Sequence, residues 1–387
     1  MNILVCLSRF PYPLNKGDKL RAFHQIKELS LNHNIYLFCL SNKYPKQEDI
    51  LILKHYCKEI HVERLNIFLQ CFYLFLSFFS SLPFQVAWFS NGKAKKHFLQ
   101  FFNKHHIDVS YFQFVRTMEY AKKITGKKVL DFQDCLSVNM QRRAEKSNFF
   151  LKNLLLLEAK KLQNYENKAF DVFSSTTIIT KTDRDLISSC RNKEIHIIEN
   201  GVSEEYFAFP KREEKKYDII FSGNMSYAPN IDAALYLVKE IMPKVWEKFS
   251  NCKVVIAGSN PSKEVLKLES ENVEITGWVD DMKEYYALSK IFIAPMRIGT
   301  GLQNKLLEAM AMSLPCITTP LANNALKSQP NRDILVNDSA KDLSDSIINL
   351  LEDTELYKRI SNNGCEFVKQ NYNWNASAKK LEKILYE

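Results

Sequence analysis

Several common features are missing from this chain, and each absence narrows what it can be. No low-complexity tract and no repeat runs through its 387 residues, which excludes a repeat architecture. The nine cysteines are scattered, with no C-x-x-C and no Cys/His cluster at metal-ligand spacing, so no zinc module is expected. Cys6, Cys39 and Cys316 fall in apolar runs that read as strands, and they are expected to be reduced core residues. No helix-turn-helix, zinc module or RNP-like stretch is present, so nucleic acid is not an expected partner. The chain opens on the strand-like N-I-L-V-C-L with no charged leader and no cleavage site. The expectation is a cytoplasmic protein in a reducing compartment.

What is present describes an ordinary globular chain: 46% hydrophobic and 25% charged residues, with length enough for two domains. Charge is divided unevenly. Residues 1–200 hold 30 Lys+Arg and 18 Asp+Glu, a net +12, while the rest hold 23 and 26, a net −3, which sum to the overall +9. A basic first half wants an anionic partner, and the segment Leu65–Leu82, L-N-I-F-L-Q-C-F-Y-L-F-L-S-F-F-S-S-L, points to lipid. It falls short of the ~20 residues needed to span a bilayer. Ser77, Ser80 and Ser81 give it one small polar face, which suits a helix lying in the membrane interface with its Phe and Leu side inserted. Lys93, Lys95, Lys96 and Lys104 follow and would add attraction to acidic headgroups. A helix buried within the first domain is the competing reading.

Strands and helices alternate along both halves. Strands are expected at 3–7, 35–40, 109–114, 129–132, 171–174 and 195–198, with a long helix over 151–170. After Pro210 and the charged linker Lys211–Lys216 come strands at 218–222, 253–257, 273–276 and 291–294, with a helix over 231–246. Such alternation requires parallel sheets with right-handed crossovers. Two such units bind ligands at the carboxyl ends of their strands, in a cleft between them. The histidines His24, His33, His105 and His106 show no partner pattern and are expected on the surface.

The most informative stretch is Ile291–Thr319, I-F-I-A-P-M-R-I-G-T-G-L-Q-N-K-L-L-E-A-M-A-M-S-L-P-C-I-T-T. It reads as buried strand, loop, short helix and second buried strand. Gly299 and Gly301 leave the loop backbone free to approach a ligand. The amides near Gly301, Leu302 and Gln303 then open a helix over 302–312 and offer a phosphate site. Glu308 lies two turns further, about 10 Å along the axis, where ribose hydroxyls of a nucleoside diphosphate would reach it. Lys305 faces the same ligand one turn earlier. A surface ion pair between Lys305 and Glu308 is the plain alternative.

This run, with Pro295 before and Pro315 after it, resembles the donor-binding signature of family 4 retaining glycosyltransferases, and most of all the exopolysaccharide-type sugar transferases of bacteria. Other pieces resemble the family in the same order: K-G-D-K-L-R at Lys16–Arg21, D-F-Q-D at Asp131–Asp134, N-G-V at Asn200–Val202, G-N-M-S-Y-A-P-N at Gly223–Asn230 and T-G-W-V at Thr276–Val279. One departure is that the family's first glutamate, eight positions before Glu308, is Thr300 here.

The resemblance implies a GT-B fold: an acceptor-side Rossmann-like domain at 1–205, a nucleotide-sugar domain at 206–372, and a terminal helix, 373–387, returning to the first domain. It also implies a nucleoside-diphosphate sugar as donor substrate, no separate cofactor and no catalytic metal. The expected donor contacts are Gly17 and Arg21 in the first domain. In the second they are Gly223, Asn224, Val279, Arg297, Gly299, Thr300, Gly301, Leu302, Gln303, Lys305 and Glu308. Lys305 and Glu308, with Asp131 and Asp134 orienting sugar or acceptor hydroxyl, are the expected catalytic set; Asp131 also reads as a loop cap at a strand end. The implied activity is transfer to a lipid-linked or polysaccharide precursor, peripherally on the inner face of the cytoplasmic membrane. A nucleotide-sugar 2-epimerase and a non-catalytic nucleotide-sugar binder are the rival readings.

Overall fold

The computed structural model describes residues 1–145, 147–298 and 301–387. It separates into two compact units, Met1–Asn200 with Trp374–Glu387, and Gly201–Asn373. The first is built on a seven-stranded parallel sheet: β1 (Asn2–Leu7), β2 (Asn34–Ser41), β3 (Glu59–Arg64), β4 (Val109–Gln113), β5 (Lys127–Asp131), β6 (Ser175–Ile178) and β7 (His196–Ile197), in the order β3-β2-β1-β4-β5-β6-β7. β1 is covered on both faces, which is why Ile3–Leu7 reads as an unbroken apolar run. Ile3 pairs with Ile35 on one side and Val109 on the other, and the order of the strands reverses at β1/β4.

Two strands of this sheet differ from the pattern-based expectation. β3 reads E-I-H-V-E-R and lies at the sheet edge, so its alternating polar residues hid it. β6 starts at Ser175, not Asp171, because Asp171 and Val172 finish the helix Phe149–Val172.

The helix Trp374–Tyr386 belongs to the first unit. Leu381, Ile384 and Leu385 join the cluster of Ile3, Val5 and Leu29. Two histidines expected at the surface are buried here instead. His24 stacks on Trp374 with ring centroids 4.7 Å apart and planes 10° from parallel, and His33 Nε2 lies 2.7 Å from Glu382. Burial pulls the His24 pKa down to about 4, so the stacked ring is neutral.

The second unit holds a six-stranded parallel sheet: β8 (Tyr217–Ser222), β9 (Val254–Ala257), β10 (Val273–Gly277), β11 (Ser289–Ala294), β12 (Cys316–Thr318) and β13 (Leu335–Val336), ordered β10-β9-β8-β11-β12-β13. The helix expected over 231–246 is a composite of Ala228–Tyr236, a π turn at Leu237–Ile241, and Met242–Lys248. Pro243 lacks the N–H that would continue a regular ladder through this point.

The segment Leu65–Leu82 forms the helix Ile67–Ser77, and its orientation is inverted. Gln70 and Ser77 are its buried residues, while Phe68, Phe72, Phe75 and Phe79 are 81%, 56%, 61% and 80% exposed. Gln70 Nε2 donates to Asn42 Oδ1 at 3.0 Å and to the Trp88 carbonyl at 3.2 Å, which fixes the polar face inward. The alternative of a buried core helix is thereby overturned. Among the described residues, no helix is long and apolar enough to cross a membrane.

Candidate functional site

In the second unit the strand order reverses between β8 and β11, and ligands of such sheets bind outside the carboxyl ends at that reversal. Three of the ten glycines in the chain lie from β8 outward at the ends of the adjacent strands β8, β9 and β10. Gly258, at φ 143°, packs so closely that a Cβ on it would lie 1.8 Å from the Gly223 carbonyl oxygen. Gly223 N donates to the Ala257 carbonyl and Gly258 N to that of Gly277, at 3.0 and 3.1 Å. The result is a floor of bare backbone. Asn224 Oδ1 accepts from Ser226 N at 3.0 Å and shapes the next turn. Val279 is half-buried just beyond Gly277.

The helix after β11 runs Asn304–Ala311. It starts two residues later than expected, so Gly301, Leu302 and Gln303 lie in the loop that leads into it rather than in its first turn. Gln303 is the N-cap residue and its side chain donates to the Gly301 carbonyl at 3.1 Å. Gly299 and Thr300 lie outside the described residues.

Lys305 and Glu308 are not paired as surface ions. Lys305 Nζ donates to Asn230 Oδ1 at 2.7 Å and lies 4.5 Å from the Phe221 ring centroid. This ties the helix to the loop after β8. Burial pulls its pKa down from 10.5 to about 7, with Glu308 opposing. Glu308 accepts from the fully buried Tyr286 hydroxyl at 3.2 Å, and Tyr286 in turn meets Ser222 at 2.8 Å. Burial pushes the Glu308 pKa up to about 7, against the hydrogen bonds of Tyr286 and Tyr206 and the charge of Lys305. A half-buried amine and a half-buried carboxyl, one turn apart at the sheet reversal and each with its pKa drawn to about 7, form a polar site that a phosphate and a hydroxyl can complete.

Three expected contacts need correction. Arg297 turns away to Asp232, at 2.9 and 3.1 Å, with Glu240 at 3.5 Å and the Tyr236 ring beneath it at 4.1 Å. Two carboxylates answer its charge in this arrangement, so its guanidinium is directed away from a diphosphate at the Asn304 helix. Arg21 and Asp131 are both fully buried. Arg21 donates to Asp131 at 2.6 and 3.3 Å and to Asn200 Oδ1 and the Ile198 carbonyl at 2.9 Å, and Asp131 also accepts from Tyr111 and Thr177. Such a saturated, fully buried pair is an internal strut, with no exposed surface to offer a substrate.

The remaining first-domain residues differ from that pair. Gly17 is exposed at the first position of the helix Gly17–Leu29, which follows the loop after β1. Asp134, past the end of β5, has an Oδ1 with no hydrogen-bond partner among the described residues. Burial, then Asp183, pushes its pKa up to about 7 while Arg116 opposes. Pattern reading also missed a cluster of His61, Glu63 and His97, whose ligand-type atoms lie within 4.8 Å of one another. These residues come from β3 and a distant helix, so no local spacing announced them. All nine cysteines are free, and Cys6, Cys39 and Cys316 are buried.

Residues 216–353 match the family model for glycosyl transferases group 1. Over nearly its whole length the chain is similar to an uncharacterized 44.6 kDa protein in the cps region of Klebsiella pneumoniae, 21% identical over 397 residues and covering 96% of each. Among solved structures, a glycosyltransferase from Rickettsia africae superposes with a TM-score of 0.67 at 15% identity, covering 99% of this chain and 97% of that one. HepE of Anabaena, solved in complex with UDP and glucose, gives 0.69 at 11% identity with 99% of each chain covered. At these identities the solved structures speak for the fold, and the family model for the second domain. The protein therefore has the GT-B fold of two Rossmann-like domains and carries a glycosyltransferase group 1 domain at residues 216–353.

Proposed function

We propose that this is a retaining glycosyltransferase moving a sugar from a nucleoside-diphosphate sugar to a lipid-linked or polysaccharide precursor of a bacterial surface glycan, on the inner face of the cytoplasmic membrane. The observation that carries the reading is the Lys305–Glu308 pair. It is half-buried, anchored to Asn230 and Tyr286, and set at the sheet reversal within the residues that match the group 1 family model. Departure of the nucleoside diphosphate builds charge on the β-phosphate. Lys305 and the positive end of the helix dipole at Asn304–Ala311 meet that charge, with no divalent ion required. Bound phosphate restores the Lys305 proton that burial disfavours. Glu308 takes the ribose hydroxyls, the Gly223–Asn224 turn takes the sugar, and backbone at Val279 reads the base edge. HepE was solved with UDP, and this supports a nucleoside diphosphate as the donor's leaving part.

Retention lets the departing phosphate accept the acceptor's proton, so no strong side-chain base is needed. Asp134, held near neutrality at the end of β5, orients the acceptor hydroxyl in this scheme. The cps-region relative supports a surface glycan as product. Membrane attachment is supported by the outward Phe side of Ile67–Ser77. The start of Phe149–Val172 adds to it, with Phe149 and Phe150 74% and 87% exposed. The two helices are joined by Lys161 Nζ on the Ser77 carbonyl at 2.5 Å.

The test is turnover of a panel of nucleoside-diphosphate sugars by the full chain with bacterial membrane lipid extract as acceptor. Nucleoside diphosphate released only when extract is present, with the product's anomeric configuration retained by NMR, is the expected result. Glu308→Gln should lower kcat/KM at least 100-fold with the melting curve unchanged. An isomerised donor without transfer would instead establish an epimerase, and wild-type rates in Glu308→Gln would remove the site assignment.

A further inference from the structure

The first domain holds a built feature that the donor site does not use. Its sheet reverses between β1 and β4, and the loops leaving β1, β2 and β4 border a cleft of about 790 Å³. Six cations line it, namely Arg9, Lys16, Lys19, Lys43, Lys46 and Arg116, and Asp49 is the one carboxylate among the described lining residues. Arg9 is partly neutralised by Asp18 at 2.8 Å.

Arg116 forms no ion pair with any carboxylate among the described residues. Its Nε and one terminal nitrogen share the neutral Gln85 Oε1, at 3.1 and 2.5 Å, and its guanidinium lies 4.7 Å from the Phe114 ring centroid and 5.8 Å from that of Phe89. Burial, then repulsion from Arg9, pulls the Arg116 pKa down to about 10 against the opposing charges of Asp134, Asp18 and Glu158. A planar guanidinium backed by several lysines matches a multiply charged, forked anion such as phosphate better than a single carboxylate.

The other wall of the same cleft is apolar. Leu74, Phe84, Trp88 and Phe89 line it, and Leu74 belongs to the helix whose opposite residues Phe68, Phe72 and Phe75 face outward. Cations at the sheet end therefore grade into hydrocarbon along Ile67–Ser77. A soluble anion has no use for that second wall.

We infer that this cleft binds the lipid end of the acceptor, a lipid phosphate or diphosphate that carries the accepting sugar hydroxyl, with its phosphate held by Arg116 and the surrounding lysines and its hydrocarbon chain running along the Ile67–Ser77 helix. The inference rests on the acceptor-side reading of the first domain given above, and it names the acceptor's chemical class.

Isothermal titration of the full chain tests it, with farnesyl diphosphate, farnesol and inorganic pyrophosphate as probes. Farnesyl diphosphate should bind at least tenfold more tightly than either of the others. Arg116→Gln should weaken it tenfold or more. So should the double change Lys43→Glu with Lys46→Glu, whose exposed side chains leave the fold untouched. The affinity for UDP should stay unchanged in both variants. Equal binding of pyrophosphate would overturn the proposal in favour of a soluble phosphorylated ligand, and equal binding of farnesol would reduce the cleft to an apolar groove. Unchanged affinity in both variants would also overturn it. The readout needs neither donor nor turnover, so failure of sugar transfer with farnesyl diphosphate binding intact would sink the donor reading alone.

Discussion

Lys305→Met should make the protein more stable and worse at binding nucleotide. The change keeps the length of the side chain and removes its charge. In the folded chain the amine is held near pKa 7 against an ordinary 10.5, chiefly by burial. At about 1.4 kcal/mol per pH unit, the charged form carries a penalty of roughly 4–5 kcal/mol at neutral pH. Removing the amine also removes a cation–π contact with Phe221 worth about 1 kcal/mol, and it orphans Asn230 Oδ1 at about 1–2 kcal/mol. The net gain is about 2 kcal/mol, or roughly 4–8 °C in the melting of a domain of this size. Between pH 7 and 10.5 the unfolded chain holds a proton that the folded chain releases, so wild-type stability rises with pH through that window. The variant's advantage is therefore largest near pH 7 and shrinks by up to about 1.4 kcal/mol per pH unit above it. Scanning fluorimetry from pH 7 to 9 measures this, and titration with UDP should show affinity falling about 10–100-fold, the loss of one charge-assisted phosphate contact. A lower melting temperature, or unchanged UDP affinity, would refute the picture of a strained amine kept for its ligand.

Other outcomes follow from the same geometry. Gly258→Ala forces a methyl to within 1.8 Å of the Gly223 carbonyl oxygen, and it should cost several kcal/mol and collapse soluble yield, read by expression and melting. Arg21→Met leaves Asp131 charged, buried and short of its main partner, and should lower stability by about 3–5 kcal/mol in urea unfolding. If donor turnover in the surviving folded fraction also vanished, the strut assignment would be wrong. Replacing Phe72, Phe75 and Phe79 together by Ser should abolish flotation with vesicles of acidic phospholipid and leave melting unchanged, since all three side chains face outward.

Local chemistry made much of this legible beforehand. β1 and β11 are covered on both faces, so their apolar runs stood out, and Gly223 lies on one side of the close backbone approach whose other side is Gly258. Edge strand β3 escaped notice because half its residues face water. The inverted Ile67–Ser77 helix was readable as amphipathic, but the pattern alone gave no way to know that Gln70 would be claimed by Asn42 and the Trp88 carbonyl. The exposure of Phe149 and Phe150 has no signature in the pattern, since their helix shows an ordinary mixture of apolar and charged residues.

By itself the sequence determined the alternation of strand and helix, the two parallel sheets and the loop and helix that carry Lys305 and Glu308. These follow from periodicity and backbone freedom within a few residues of each other. Tertiary structure alone decided which charges are available to a ligand. Arg21 and Asp131 stand 110 residues apart and neutralise one another in the core. Arg297 is taken by Asp232, 65 residues away, and Arg116 is left beside a neutral amide. Counter-charge and desolvation depend on distances through space, and residue spacing along a chain does not encode them.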